Sequence, residues 1–184
     1  MEFKRINTPI DYMRRLLQMR KEMDRADYSS LSECEHRLEK VGEFNFVEFI
    51  NDSQSTDIES TWYALEKMQK PVIWIVGGVD KGYDFSSLSS VVQHKVKAIV
   101  CLGKDNGRLF KIFQYQNIVP LIVDAKEMKE AIEYSYQWAK KGDAVLFSPA
   151  CPSYDLYENY EVRGNSFKNA VREFFDNRLK KISE

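Results

Sequence analysis

The pattern of hydrophobic and polar residues predicts strands and helices in regular alternation from residue 38 onward. Residues 38–44 and 46–50 alternate in polarity, which predicts two strands joined tightly at Asn45. Residues 71–76 form a continuous apolar run ending in glycines, as expected of a strand buried on both faces of a parallel sheet. Further strands are predicted at 98–102, 119–123 and 144–147, and helices at 60–68, 88–94, 107–115, 126–140 and 166–179.

This alternation also predicts the fold class. Strands separated by helices of roughly ten to fifteen residues are typical of βαβ crossovers and a doubly wound sheet. We therefore expect an α/β fold, with a mainly parallel sheet of about six strands covered by helices on both faces.

The first thirty residues have a different pattern and predict a separate helix. Thr8 suits the N-cap, Pro9 suits the first helical position, and Asp11 lies near the positive end of the helix dipole. We expect an N-terminal helical extension over residues 1–30, followed by one α/β domain over residues 31–184. Two alternatives stay open for this helix: packing on the domain with a solvated outer face, or docking on a second copy or another partner.

Composition and charge narrow the classes of function. A hydrophobic fraction of 43% and an aromatic fraction of 13% fit a packed globular domain. The 27 basic and 28 acidic residues leave a net charge of −1, which gives no electrostatic reason to expect nucleic acid or a membrane surface as a partner. No apolar run approaches the roughly 18 residues of a membrane span, so we expect a cytoplasmic protein.

Cysteine and histidine usage favours neither disulfides nor a metal site. Cys34, Cys101 and Cys151 are odd in number and far apart, which is typical of reduced thiols. His36 and His94 are the only histidines, so we predict no metal ligands.

Ligands of doubly wound sheets bind beyond the carboxyl ends of the strands. The predicted strands therefore select four loops as candidate binding segments, most of them rich in glycine or short polar residues: 51–57, 77–84, 103–106 and 148–160.

The glycines of the second loop come close to a phosphate-binding loop but do not form one. That motif requires Gly, four residues, then Gly-Lys and Ser or Thr. Gly77 and Gly82 have the right spacing, but Tyr83 follows, so the chain is not expected to run ATP-driven chemistry alone. The turn still presents Lys81, whose ammonium group suits a carboxylate or phosphate ligand. A plain turn with a surface lysine is the alternative.

Two other loops carry anion-binding groups. The short hydroxyl and amide side chains of residues 51–57 could bind an anion, or Thr56 or Asp57 could simply cap the following helix. Ser153 and the amides after it could form an anion-binding nest, ahead of a last helix that Arg163-Gly164 is expected to open. Cys151 has no identifiable base, so we expect a packed thiol and predict no catalytic residue.

Together and in this order, the loop sequences resemble the C-terminal domain of the UDP-N-acetylmuramoyl-L-alanine:D-glutamate ligases, a branch of the Mur ligase family. The resemblance covers about residues 31–180 and implies a Rossmann-like domain that brings D-glutamate to cytoplasmic peptidoglycan precursor synthesis. The segments that carry it are His36-Arg37-Leu38-Glu39, Phe49-Ile50-Asn51-Asp52-Ser53, Gly77-Gly78-Val79-Asp80-Lys81-Gly82, Ser148-Pro149-Ala150-Cys151, Asn159-Tyr160-Glu161 and Arg163-Gly164-Asn165-Ser166-Phe167.

The resemblance implies roles for individual residues. Lys81 and Thr56 would hold the α-carboxylate of D-glutamate. Ser153, with backbone near Tyr154 and Tyr160, would hold the side-chain carboxylate. The residues that would face the nucleotide are His36, Arg37 and Asp52. In the full-length family a central domain binds ATP and magnesium, so we expect no cofactor for this chain alone. The expected ligand is D-glutamate or a similar dicarboxylate.

The chain also departs from the family pattern. Gln54 stands where the family usually has lysine, Ser55 and Asp57 replace the usual alanine and asparagine, and Pro152 replaces a small residue. Two functional hypotheses follow. The chain is either the D-glutamate-binding part of a ligase that works only with the missing ligase domains, or a stand-alone, non-catalytic paralogue. Such a paralogue would bind an acidic metabolite or a partner protein, for example to regulate cell-wall synthesis.

Overall fold

A six-stranded sheet forms the centre of the molecule. The structure, a computed structural model, describes residues 34–183, with side chains to residue 180, so the predicted extension over residues 1–30 lies outside the described residues. The strands are β1 (Glu39–Phe44), β2 (Val47–Asn51), β3 (Val72–Val76), β4 (Val96–Leu102), β5 (Ile122–Ala125) and β6 (Ala144–Phe147). Their order across the sheet is β1-β2-β6-β3-β4-β5, and all neighbours run parallel except β1 and β2.

Helices cover both faces of this sheet, which confirms the predicted doubly wound α/β fold. In chain order they are α1 (Ile58–Lys67), α2 (Ser89–Lys95), α3 (Gly107–Leu109), α4 (Met128–Trp138) and α5 (Tyr160–Ser183). A 3-10 turn (Phe85–Leu88) leads into α2, and a π-helical turn (Phe110–Gln114) continues α3. Within residues 34–183, no helix combines the length and the apolar character that crossing a membrane requires.

The apolar run of β3 is buried on both faces, as predicted. Because successive side chains of a strand point to opposite faces, β3 divides its residues between two hydrophobic cores. Trp74 packs with α1, α2 and α3, whereas Ile73 and Ile75 pack with α4 and α5. The indole Nε1 of Trp74 donates a hydrogen bond to the carbonyl of Ser148 at 2.8 Å, so the buried tryptophan has its polar group satisfied.

The two-faced packing creates a crevice at the end of β6. The helices that follow β2 and β3, its two neighbours, pack on one face, whereas α5, which follows β6, packs on the other. At the carboxyl edge, the chain therefore continues from β6 toward one face of the sheet and from its two neighbouring strands toward the other face. Such a switch point is where doubly wound sheets bind their ligands.

Strand β5 begins three residues later than predicted. The apolar residues from 119 onward suggested a strand, but Val119 lies between the elements, and its N–H donates back to the carbonyl of Phe113 in the preceding helical turn at 3.2 Å. Pro120 then has no N–H to donate to a neighbouring strand. Regular pairing with β4 starts only at Ile122.

Helix α5 begins at Tyr160, six residues before its predicted start. Asn159 caps it, since its side-chain oxygen accepts the N–H of Val162 at 2.7 Å. The glycine at 164, which suggested a helix boundary, lies inside the helix instead. It is required there by close packing, because a Cβ on Gly164 would lie 2.3 Å from Nδ1 of His36.

Candidate functional site

Three polar loops meet at the crevice beyond β6. Val79 donates its N–H to the carbonyl of Pro152 at 2.9 Å, and Ala150 donates to the carbonyl of Ser55 at 3.1 Å. The loop after β6 is thereby fastened on both sides by backbone hydrogen bonds. The loops joined in this way are residues 51–57, 77–84 and 148–159.

The side chain of Arg163 lies beneath this junction and is only 2% exposed. Its Nε donates to the hydroxyl of Ser53 at 3.1 Å, and Nη2 donates to the carbonyl of Ser53 at 2.8 Å. Nη1 donates to the carbonyl of Cys151, also at 2.8 Å. Gly78 completes the wall, since a Cβ there would lie 3.3 Å from Nη1. One guanidinium thus connects α5 to two loops and contacts the third.

Arg163 stays charged although it has no acidic partner. Burial lowers the pKa of its guanidinium to about 10, which is still well above neutral pH. Within the part of the chain that the structure describes, it forms no ion pair with a carboxylate, and its acceptors are two carbonyls and a hydroxyl. Sequence reasoning placed Arg163 at a helix start and in a segment that carries the family resemblance, but it missed this position beneath the loops.

Lys81 and Thr56 both lie at the crevice with groups available to a ligand. The side chain of Lys81 is exposed and makes no ion pair with any described residue. Its neighbour Asp80 is instead paired with Arg108 at 2.6 Å. Asp57, not Thr56, caps α1, because its carboxylate accepts the N–H of Ser60 at 2.8 Å. The expected cap from Thr56 or Asp57 is therefore confirmed for Asp57, and the half-buried hydroxyl of Thr56 is not used for it.

The other predicted carboxylate-binding residues lie on the far side of the same crevice. Ser153 is buried, and its carbonyl accepts the N–H groups of Leu156 and Tyr157 in a tight turn. Tyr154 is 70% exposed, and Tyr160 is half-buried in the first turn of α5. Their roles stay predictions, but all five predicted substrate-binding residues lie on loops, or at the start of α5, that hydrogen bonds join at one edge of the sheet.

His36 is part of the packed wall of the site. It is 4% exposed, its Nδ1 lies 2.9 Å from the side-chain amide of Asn51, and its ring meets that of Tyr160 edge to face. Asn51 also donates to the carboxylate of Glu39 at 3.0 Å. Arg37, next to His36, is half-buried. Sequence reasoning did not single out Asn51, although it opens the polar segment after β2.

Asp52 faces the protein interior. It is 1% exposed, and its two carboxylate oxygens accept the N–H of Leu38 at 3.1 Å and the hydroxyl of Ser148 at 2.7 Å. Burial raises the pKa of this carboxyl to about 6, although hydrogen bonds from Ser55 and Ser148 act in the opposite direction. A direct contact with a nucleotide would have to displace one of these partners, so the predicted nucleotide-facing role stays a prediction.

The thiols carry no sign of catalytic activation. Cys34, Cys101 and Cys151 are all unpaired, which confirms that they are free thiols. Burial raises the pKa of Cys151 to about 12, so this thiol stays protonated at neutral pH. The prediction of a packed Cys151 is confirmed by its burial. Among residues 34–180, no three His, Cys, Asp or Glu side chains are grouped as metal ligands would be.

The buried Asp52 predicts a specific pH dependence of stability. The carboxyl titrates near 3.8 when solvated and near 6 in the folded protein, so the folded state binds more protons between these values. This contribution to stability is present below about pH 4 and is lost as the pH rises through about 6. Relative to Asp52→Asn, the free energy of unfolding of the parent protein should fall by roughly 2–3 kcal/mol from pH 4 to pH 7. Urea unfolding at several pH values measures this difference, and parallel profiles for the two proteins would contradict it.

Comparisons with known proteins identify the family of this chain. A family model described as "Mur ligase, glutamate ligase domain" matches residues 36–151. The UDP-N-acetylmuramoylalanine–D-glutamate ligase of Christiangramia forsetii is 50% identical over 157 residues, which are 85% of this chain and 35% of that protein. The same enzyme of Cytophaga hutchinsonii is 49% identical over 148 residues, with 80% and 32% covered. The chain thus spans about a third of the length of these relatives.

Solved structures share the fold at low sequence identity. The UDP-N-acetylmuramate-alanine ligase of Thermotoga maritima superposes with a TM-score of 0.52 at 11% identity, covering 91% of this chain and 37% of that chain. The bifunctional folylpolyglutamate synthase/dihydrofolate synthase of Yersinia pestis gives 0.51 at 12% identity, covering 77% and 31%. From the family-model match over more than half of its residues and from its relatives at 50% identity, the chain belongs to the Mur ligase family and carries its C-terminal, glutamate ligase domain.

Proposed function

We propose that this domain binds D-glutamate as the amino-acid half-site of a ligase of peptidoglycan precursor synthesis. The proposal is supported by the backbone hydrogen bonds that join the loops carrying Lys81, Thr56 and Ser153 at the carboxyl edge of the sheet. A dicarboxylic amino acid needs two separate anion-binding groups. The crevice offers a cation on one side and a serine turn on the other.

The first anion-binding group is centred on Lys81. The carboxylate of Asp80 pairs with Arg108 and accepts the N–H of Gly82, and it forms no ion pair with the neighbouring lysine. The ammonium of Lys81 is therefore available for the α-carboxylate, with Thr56 as a hydroxyl donor.

The second anion-binding group is the turn at Ser153. Within the described residues, the backbone N–H of Tyr154 donates to no backbone carbonyl, whereas the carbonyl of Ser153 is used twice. A free N–H beside a serine hydroxyl suits a carboxylate oxygen. We assign the side-chain carboxylate of D-glutamate to this turn.

We further propose that the chain needs the rest of a ligase for the complete reaction. The match covers only 35% and 32% of its relatives named UDP-N-acetylmuramoylalanine–D-glutamate ligase, and its own sequence has no phosphate-binding loop. The residues expected to face ATP do not form a complete site in the described part of the chain, because both oxygens of Asp52 are engaged within the protein. We therefore assign no chemical step to ATP or magnesium here.

D-glutamate binding should depend on Lys81. Calorimetric titration of the purified chain with millimolar D-glutamate should give measurable heat, and Lys81→Ala should weaken binding by about tenfold or more, since a charge-assisted hydrogen bond is lost. Lys104→Ala is the matched control, because it removes another exposed lysine from the same edge of the sheet.

Absence of binding heat when the parent chain is titrated with D-glutamate would contradict the proposed function. It would favour the non-catalytic alternative, a module for another acidic metabolite or a protein. Equal weakening by the two lysine variants would remove Lys81 from the site while leaving D-glutamate as the ligand.

The chain alone should not hydrolyse ATP. Incubated with ATP, magnesium and D-glutamate, it should release no phosphate above the background rate, because nothing in its sequence cradles a γ-phosphate. The full-length ligase of Cytophaga hutchinsonii with its own substrates serves as the positive control. Phosphate release proportional to the concentration of this chain would contradict the proposed dependence on further ligase domains.

A further inference from the structure

Arg163 combines two properties that are rarely found together in a residue with only a structural role. It is almost fully buried, and it keeps a full positive charge without a carboxylate partner in the described residues. Buried charges in proteins are normally paired, because removing a charge from water is costly. Three hydrogen bonds to neutral oxygens satisfy part of the guanidinium, but they supply no opposite charge.

The hydrogen bonds of Arg163 reach both loops that carry the proposed carboxylate-binding groups. Ser53, which accepts two of the three hydrogen bonds, is three residues before Thr56. Cys151, which accepts the third, is two residues before Ser153. The guanidinium therefore holds the backbone of both loops that carry the proposed carboxylate-binding groups. Ser53 extends the connection, because its hydroxyl donates to the carbonyl of Tyr160 at 2.8 Å.

Asp155 acts electrostatically on Arg163 but does not pair with it. The carboxylate of Asp155 accepts the N–H of Lys104 at 3.1 Å and forms no ion pair with Arg163. Position 54, where the family usually has a lysine, carries the neutral Gln54. In the described residues, the crevice thus combines the exposed ammonium of Lys81 with one buried guanidinium.

We propose that Arg163 is a positioning and specificity-determining residue that makes this site prefer ligands with two carboxylates over ligands with one. It positions Ser53 and Cys151, and so sets the spacing of the two anion-binding groups. The positive charge of Arg163 has no ion-pair partner among residues 34–180. It therefore favours a ligand with a second negative charge, and this ligand charge acts in place of an acidic partner. The inference rests on the proposed function, since it concerns the charge of the amino acid bound at the same crevice.

The test compares D-glutamate with D-glutamine, which has the same shape but a neutral side chain. Calorimetry gives the ratio of the two dissociation constants for the parent chain, Arg163→Lys and Arg163→Met. We expect the parent to prefer D-glutamate over D-glutamine by on the order of tenfold. Arg163→Lys should bind both ligands more weakly but keep this preference, because it retains the charge. Arg163→Met should lose most of the preference. Arg172→Met is the control, since it removes an exposed arginine from the same helix and should leave the ratio unchanged.

A purely structural role would weaken both ligands by the same factor in Arg163→Met and leave the ratio unchanged, which would overturn the inference. If Arg163→Met does not fold, Arg163→Lys decides, because it retains the charge without the forked hydrogen bonds. Loss of the preference in a folded Arg163→Lys would then overturn the inference. If the parent chain binds neither ligand, the proposed function itself fails, and this inference fails with it.

Discussion

The hydrogen bonds from the buried guanidinium of Arg163 to Ser53 and Cys151 are the interaction on which the candidate site depends. Without them, the loops after β2 and β6 would be joined by the hydrogen bond from the hydroxyl of Ser148 to Asp52 and by the backbone hydrogen bond from Ala150 to Ser55. An uncompensated charge in the interior is costly, and neutral acceptors offset only part of that cost. The topology makes the position possible, because the chain leaves β6 and its neighbours toward opposite faces and opens a crevice between them. Helix α5 then inserts an arginine from its first turn into the base of that crevice.

Much of the fold could be predicted from the sequence because its signals are local. The apolar run that became β3 is long enough, and bounded sharply enough by glycines, to identify a strand buried on both faces. The two boundary errors have the same physical origin. Val119 is tied back to the preceding helical turn by a hydrogen bond to Phe113, and position 164 inside α5 is a glycine because the ring of His36 packs against it. Neither contact is visible in the polarity pattern of the segment itself.

Some residues of the candidate site could likewise be predicted from the sequence, and others could not. Lys81 and Ser153 could be selected from sequence, since each follows a buried strand at the edge where ligands bind. Arg163 could not be selected, because its partner Ser53 is 110 residues away and both residues are common on protein surfaces. The choice between Thr56 and Asp57 as the cap of α1 was also undecidable from residue type, since both side chains can cap a helix. Capping by Asp57 leaves the hydroxyl of Thr56 to the crevice.

The central claim is that the three loops act as one dicarboxylate site held together by Arg163. The most direct measurement is a titration of the ¹⁵N-labelled chain with D-glutamate, followed by the backbone amide resonances of Thr56, Lys81 and Tyr154. The account predicts that all three resonances shift along a single binding curve with one dissociation constant. Shifts confined to one loop, or different dissociation constants for different loops, would contradict it.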